Sequence, residues 1–266
     1  VSDHLRLYPD PNGDRLKVAV AAHYGVTTRQ VFVGNSSDEV LAHVFQALLK
    51  HNDPILFPDI TYSFYPVYCG LYGIGYREVP LDAEFALNPD DYHTPNGGII
   101  FPNPNAPTGR LLALSAIEQI VQANPDSVVV IDEAYNEYIP QTERVDTAAW
   151  LAEFPNLVIT RTFSKIYGLA GLRVGYAMAS AEVADLMNRV RQPFNCNNLA
   201  IAGAAAALED EAFVDRSYAL NRAGMEQIVC GLKRLGYAHI PSHGNFLAFN
   251  AGDAVALNQN LLKQGV

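Results

Sequence analysis

The chain has 266 residues, 49% of them hydrophobic and 17% charged, with a formal net charge of −10. That balance supports a buried core and excludes a disordered polypeptide, and the length suits one large α/β domain, or a domain and part of another. The negative surface repels nucleic-acid phosphates and anionic membranes, so neither is an expected partner, although a few local donors suffice to hold a small anion.

Taken in chain order, the first feature is Tyr8, in Leu7-Tyr8-Pro9-Asp10-Pro11, ahead of the first helix. Next comes Val33-Gly34-Asn35-Ser36-Ser37-Asp38-Glu39, opening a predicted helix over 38–50. Small residues at a helix start expose backbone N–H groups where the dipole favours an anion, so a phosphate can sit on the amides of Ser36, Ser37 and Asp38. The Asp38 side chain is expected to cap the helix or turn away, because its charge repels a phosphate. A plain capping turn remains the other reading.

Apolar runs over 54–57, 75–79, 98–101, 128–131, 157–160 and 173–179 predict buried strands, with helices over 63–72, 114–123 and 181–190 between them. Such alternation predicts a mainly parallel sheet covered by helices on both faces, with ligands at the carboxyl ends of the strands. The residues following each run are therefore the ones to inspect. After 54–57 stands Thr61-Tyr62-Ser63-Phe64-Tyr65, where Tyr62 can stack on a flat ring or simply pack in the core. After 98–101 stands Pro102-Asn103-Pro104-Asn105-Ala106-Pro107-Thr108-Gly109, a stiff turn whose asparagines can bond a ligand hydroxyl, or a surface loop. After 128–131 stands Asp132-Glu133-Ala134-Tyr135. A carboxylate there can keep a ring nitrogen protonated and Tyr135 can bond a phenolic oxygen, while the competing reading of Asp132 is a helix cap.

After 157–160 stands Thr162-Phe163-Ser164-Lys165, followed by Gly168-Leu169-Ala170-Gly171 and Arg173. A partly desolvated lysine at a strand's carboxyl end can condense with an aldehyde cofactor, with Thr162, Ser164 and Arg173 as donors to a phosphate. Alone, the segment also reads as a turn bearing an exposed lysine. Helices over 199–208 and 211–235, a strand over 245–250 and a helix over 253–263 complete the pattern and read as the start of a smaller second domain. We divide the chain into a large domain over residues 1–195 and, over residues 196–266, an interdomain helix with part of a smaller α+β domain.

The three cysteines form no CxxC pair and no metal-like set with the seven histidines, which fits reduced thiols in the cytoplasm and no bound metal. No apolar run is long enough for a membrane span, and residues 1–8 lack the pattern of a signal peptide. The sequence starts at Val1 and stops after Lys263-Gln264-Gly265, where a strand is expected to follow, so it reads as a fragment.

Together these motifs resemble the fold-type I pyridoxal-phosphate aminotransferases over nearly the whole chain. Leu7-Tyr8-Pro9-Asp10-Pro11, Thr162-Phe163-Ser164-Lys165 and Gly171-Leu172-Arg173-Val174-Gly175 look most like the histidinol-phosphate aminotransferase branch. The resemblance implies pyridoxal 5′-phosphate held by Lys165 as a Schiff base, with Lys165 also the general acid and base. It implies Asp132 at the pyridine nitrogen, Tyr135 at the phenolic oxygen and Tyr62 stacked on the ring. Ser36, Ser37, Thr162, Ser164 and Arg173 would hold the phosphate, and Tyr8 would reach the phosphate of the partner subunit's cofactor in a homodimer. The implied reaction is transamination of L-histidinol phosphate with 2-oxoglutarate in histidine biosynthesis. Two departures stand out. Many relatives carry an asparagine before Pro-Thr-Gly where this chain has Ala106, so that role passes to Asn105. The family's N-terminal arm and its substrate-binding C-terminal arginine are also expected to lie outside this sequence. An aromatic-amino-acid aminotransferase, a phosphothreonine-type decarboxylase and a non-catalytic cofactor-binding regulator are the competing readings.

Overall fold

In the computed structural model, which describes residues 3–144 and 146–266, the apolar runs form one seven-stranded sheet. The strands are β1 (Val31–Gly34), β2 (Ile55–Pro58), β3 (Tyr76–Val79), β4 (Ile99–Pro102), β5 (Val129–Asp132), β6 (Leu157–Thr162) and β7 (Gly175–Ala179). Their order across the sheet is β1-β7-β6-β5-β4-β2-β3. Strands β2 to β6 run parallel, whereas β7 is antiparallel to both β6 and β1. The mainly parallel sheet read from the sequence is therefore present.

The helices are α1 (Asp14–Tyr24), α2 (Ser36–Leu48), α3 (Tyr65–Tyr72), α4 (Leu114–Ala123), α5 (Ala181–Val190), α6 (Asn198–Glu209), α7 (Glu211–Leu235) and α8 (Ala254–Lys263). Alternate residues of each central strand enter different cores, as the two-residue period of a strand requires. Ile99, Phe101, Val129, Ile131, Leu157 and Ile159 pack against α1, α4 and α6. Ile100, Val130 and Val158 pack on the opposite face with α2, α3 and Met187 of α5. Ala200, Ile201, Ala204, Ala205 and Leu208 of α6 are buried in the first core, whereas α7 buries no residue fully.

Three expectations change. Strand β1 is absent from the sequence reading, which also gives the first helix, α1, no bounds. The expected strand at the start of the 173–179 run begins only at Gly175, because Arg173 adopts a left-handed backbone (φ 52°) that turns the chain first. The expected strand over 245–250 reduces to a bridge between His239 and Phe249, flanked by Ile240 N–H to Ala248 O and Asn250 N–H to Ala238 O, both 2.8 Å. Its alternating pattern finds one short partner and no sheet. Among the described residues, no helix is long and apolar enough to cross a membrane.

The register of β5 on β6 pairs Val129 with Leu157 and Asp132 with Thr160. Asp132 and Thr160 thus share the α2/α3 face, while the next residue of each, Glu133 and Arg161, faces the α1 side. There Arg161 meets Glu133 at 2.6 Å, both almost fully buried, and Thr147 donates to the other Glu133 oxygen at 2.6 Å. Glu137 and the Tyr24 hydroxyl complete the guanidinium's surroundings at 3.4 and 2.8 Å. Removing Glu133 strips a buried guanidinium of the closer of its two carboxylates and leaves Arg161 to Glu137 at 3.4 Å. Glu133→Ala should therefore lower the unfolding free energy by about 3–5 kcal/mol, read from urea denaturation. A loss below ~1 kcal/mol, the worth of an exposed pair, would contradict this account.

Candidate active site

The carboxyl ends of β4, β5 and β6 and the start of α2 enclose a cavity of about 180 Å³. Its floor is Asp132, 6% exposed. Thr160 and Tyr65 donate hydroxyl hydrogen bonds to the two carboxylate oxygens, each at 3.2 Å. Burial pushes the Asp132 carboxyl up to about 6, against the hydrogen bonds from Thr160, Tyr65 and the Ala134 N–H that favour its charged form.

Lys165 stands at the rim, its Nζ 5.2 Å from the centre of the Tyr135 ring. Its loop is tied down on both sides: Gly168 N–H bonds Lys165 O (3.0 Å), Leu169 N–H bonds Phe163 O (3.0 Å), and Phe163, Ile166 and Tyr167 are buried. The side chain itself is exposed. That differs from the partly desolvated lysine expected from sequence, because the amine stands at the rim of the cavity and not within it. Thr162 and Ser164 also line the cavity, and the Thr162 hydroxyl is partly spent in accepting from the Ser164 N–H (3.1 Å).

The start of α2 forms the opposite wall. Ser36 holds a left-handed backbone (φ 72°), and Gly175 lies so near that a Cβ there would stand 2.5 Å from the Ser37 nitrogen. Only glycine lets β7 approach this turn. Ser37 and Asp38 line the cavity, but the Asp38 side chain does not turn away as expected. It pairs with Arg173 (2.8 Å) and accepts from the hydroxyls of Tyr62 (3.1 Å) and Ser36 (3.0 Å). With cation and phenol both beside it, the carboxylate is drawn inward. Burial, and then Asp38, raise the Tyr62 hydroxyl above its ordinary range.

Nine sequence-derived residues therefore meet around one cavity: Ser37, Asp38, Tyr62, Asp132, Tyr135, Thr162, Ser164, Lys165 and Arg173. Three do not line it. Ser36 is buried behind the wall, its hydroxyl spent on Asp38. Asn105 is buried and occupied: its amide donates to Ile60 O (2.9 Å) and the Thr108 hydroxyl (3.0 Å), and its oxygen accepts from Thr61 (3.3 Å). It closes the proline turn, and Ala106 lines the cavity in its place. Tyr8 is 81% exposed and stacks on Phe194 with ring centres 4.8 Å apart. Sequence reading missed Tyr65 and Thr160. The signal for Tyr65 was its spacing of three from Tyr62, and for Thr160 its place one strand over from Asp132.

The class I and II aminotransferase family model matches residues 2–266. Histidinol-phosphate aminotransferase 1 of Pseudomonas fluorescens (strain Pf0-1) is 52% identical over 271 residues, spanning 100% of this chain and 76% of the relative. Histidinol-phosphate aminotransferase 2 of Thiobacillus denitrificans is 53% identical over 272 residues, spanning 100% and 75%. The crystal structure of histidinol-phosphate aminotransferase from Sinorhizobium meliloti, in complex with pyridoxal-5′-phosphate, superposes with a TM-score of 0.90 at 24% identity. It covers 99% of this chain and 73% of that one, a likeness that establishes the fold.

The raised Asp132 carboxyl has a consequence for stability. Its proton is held more tightly in the folded chain, so this contribution is full below about pH 4 and is lost as pH rises through about 6. Asp132→Asn removes the titration. Without added cofactor, the variant should gain on the parent from pH 4 to 7, reaching about 1–3 kcal/mol. A pH-independent difference in urea unfolding would refute it.

Proposed function

Because the chain belongs to the class I and II aminotransferase family, we propose that it is a pyridoxal-5′-phosphate enzyme that transfers the amino group of L-histidinol phosphate to 2-oxoglutarate. The products are imidazole acetol phosphate and L-glutamate, in histidine biosynthesis. The observation that supports this reading most is the cavity itself, where Lys165 and Asp132 share one space with Arg173 and two hydroxyl residues.

The residues present fit the cofactor's chemistry. A phosphate needs a cation, hydroxyl donors and close backbone, supplied by Arg173, Thr162, Ser164 and the start of α2 that Gly175 lets approach. A pyridine nitrogen needs a carboxylate, supplied by Asp132, and a flat ring needs an aromatic neighbour, supplied by Tyr62. When bound, pyridoxal phosphate supplies an electron-withdrawing ring for the electron pair released at the substrate's α-carbon. Asp132 keeps a proton at the ring nitrogen. Lys165 would hold the cofactor through its amine, and that amine would serve as the base that takes the substrate's α-proton and the acid that gives one back. Tyr135 donates to the phenolic oxygen. Arg173, now paired with Asp38, would hold the phosphate.

In this reading residues 1–195 form the cofactor-binding large domain, and residues 196–266 hold the interdomain helix and the start of the smaller one. The exposed Tyr8 ring reaches the cofactor phosphate of the partner subunit in a homodimer. Three free cysteines, two of them buried, suit the cytoplasm.

Lys165→Ala should lower glutamate formation from histidinol phosphate and 2-oxoglutarate by at least ~10²–10⁴-fold, the contribution of a positioned acid-base group. The parent should turn over histidinol phosphate well ahead of phenylalanine in parallel assays. Transamination surviving in the variant, or phenylalanine leading, would count against the assignment.

A further inference from the structure

Tyr65 opens α3 and is fully buried. Its ring is fixed by three aromatic neighbours, with centres 5.5 Å from Tyr62, 5.8 Å from Phe57 and 5.9 Å from Phe45. Phe45 comes from α2 and Phe57 from β2, so three separate segments of the fold hold one phenol. The held ring delivers its hydroxyl to Asp132 Oδ2 at 3.2 Å, while Thr160 bonds Oδ1 at 3.2 Å.

We propose that Tyr65 is a positioning residue for Asp132, orienting the carboxylate and holding it ionised; the role rests on the reading of Asp132 given above. The chemistry of the donors supports it. A carboxylate offers about four lone-pair positions, two per oxygen. Tyr65 and Thr160 each occupy one per oxygen and leave the others for a ring nitrogen. Both donors are neutral. A lysine or arginine there would ionise Asp132 more strongly but would cancel the charge that the ring nitrogen is meant to feel. A phenol stabilises the carboxylate without neutralising it. Burial and the Asp132 charge also raise the Tyr65 hydroxyl well above its ordinary value, so it stays a donor throughout the working range.

The other titratable groups around Asp132 are Asp38 on α2, Tyr62 ahead of α3, Tyr135 after β5, and Lys165 and Arg173 after β6. Tyr65→Phe leaves all of these unchanged, keeps the ring that fills the aromatic cluster, and deletes one hydroxyl.

The test uses the full chain with Tyr65→Phe, and Thr160→Val as a second variant removing the other donor. The Asp132 carboxyl is titrated by ¹³C NMR on aspartate-labelled protein without added cofactor, its signal identified by loss in Asp132→Asn. The titration midpoint should rise by about one pH unit in either variant, the scale of a hydrogen bond to a charged group. With cofactor, the acid limb of kcat/KM should move upward by a similar amount, giving roughly a fivefold loss at pH 6 that fades above pH 8. A merely structural defect would lower the rate equally at every pH. An unmoved midpoint with a pH-independent loss overturns the proposal. Full transamination by Asp132→Asn would instead overturn the reading of Asp132 itself, an outcome the cofactor-free titration keeps separate.

Discussion

The buried carboxylate and the lysine loop at this cavity depend on the register of two strands. β5 and β6 lie parallel with Asp132 beside Thr160, which aligns their carboxyl ends. Because a strand alternates its side chains, the same register places Glu133 and Arg161 together on the far face. A one-residue slip would send Asp132 into the α1 core and bring Glu133 to the cavity. The buried ion pair resists that slip: a displaced Arg161 would lose Glu133, its closest carboxylate, and a buried charge short of a partner is costly. The polar network behind the sheet and the polar cavity in front are two consequences of one alignment.

The charges at the cavity differ in how firmly they are held. Asp132 is buried between neutral donors and cannot move without losing both. Arg173 and Asp38 are each about half exposed, 47% and 49% by side chain. Exposed pairs contribute little, about 0–1 kcal/mol, so Arg173 is given up to an incoming anion at small cost. The cavity thus pairs a fixed carboxylate with an exchangeable cation.

Much of this was legible in the sequence because strands buried on both faces carry unbroken apolar runs, as in Val128-Val129-Val130-Ile131, and the residues following such runs end at one edge of the sheet. That rule points to Lys165, Asp132 and Tyr62, and the resemblance to the fold-type I aminotransferases gives them their expected roles. β1 was not legible, being four residues long with its partner β7 more than a hundred positions away. Asn105 was misplaced because its amide finds Thr108 three residues on and Ile60 across the turn, partners that local reading does not weigh against a ligand. The direction of Asp38 depended on Arg173 and Tyr62 lying opposite, which only the folded chain brings about. Tyr65 read as one more core aromatic, since its polar partner lies 67 positions later.

The loop carrying Lys165 is closed by its own backbone hydrogen bonds and anchored by Phe163, Ile166 and Tyr167, while the lysine side chain stands free. Any travel of the amine must then come from rotation about its own methylene bonds, on the nanosecond timescale of exposed side chains, with the slower rearrangement of loops playing no part. The reach of the amine becomes a matter of rotamer exchange above a backbone tied by its own hydrogen bonds.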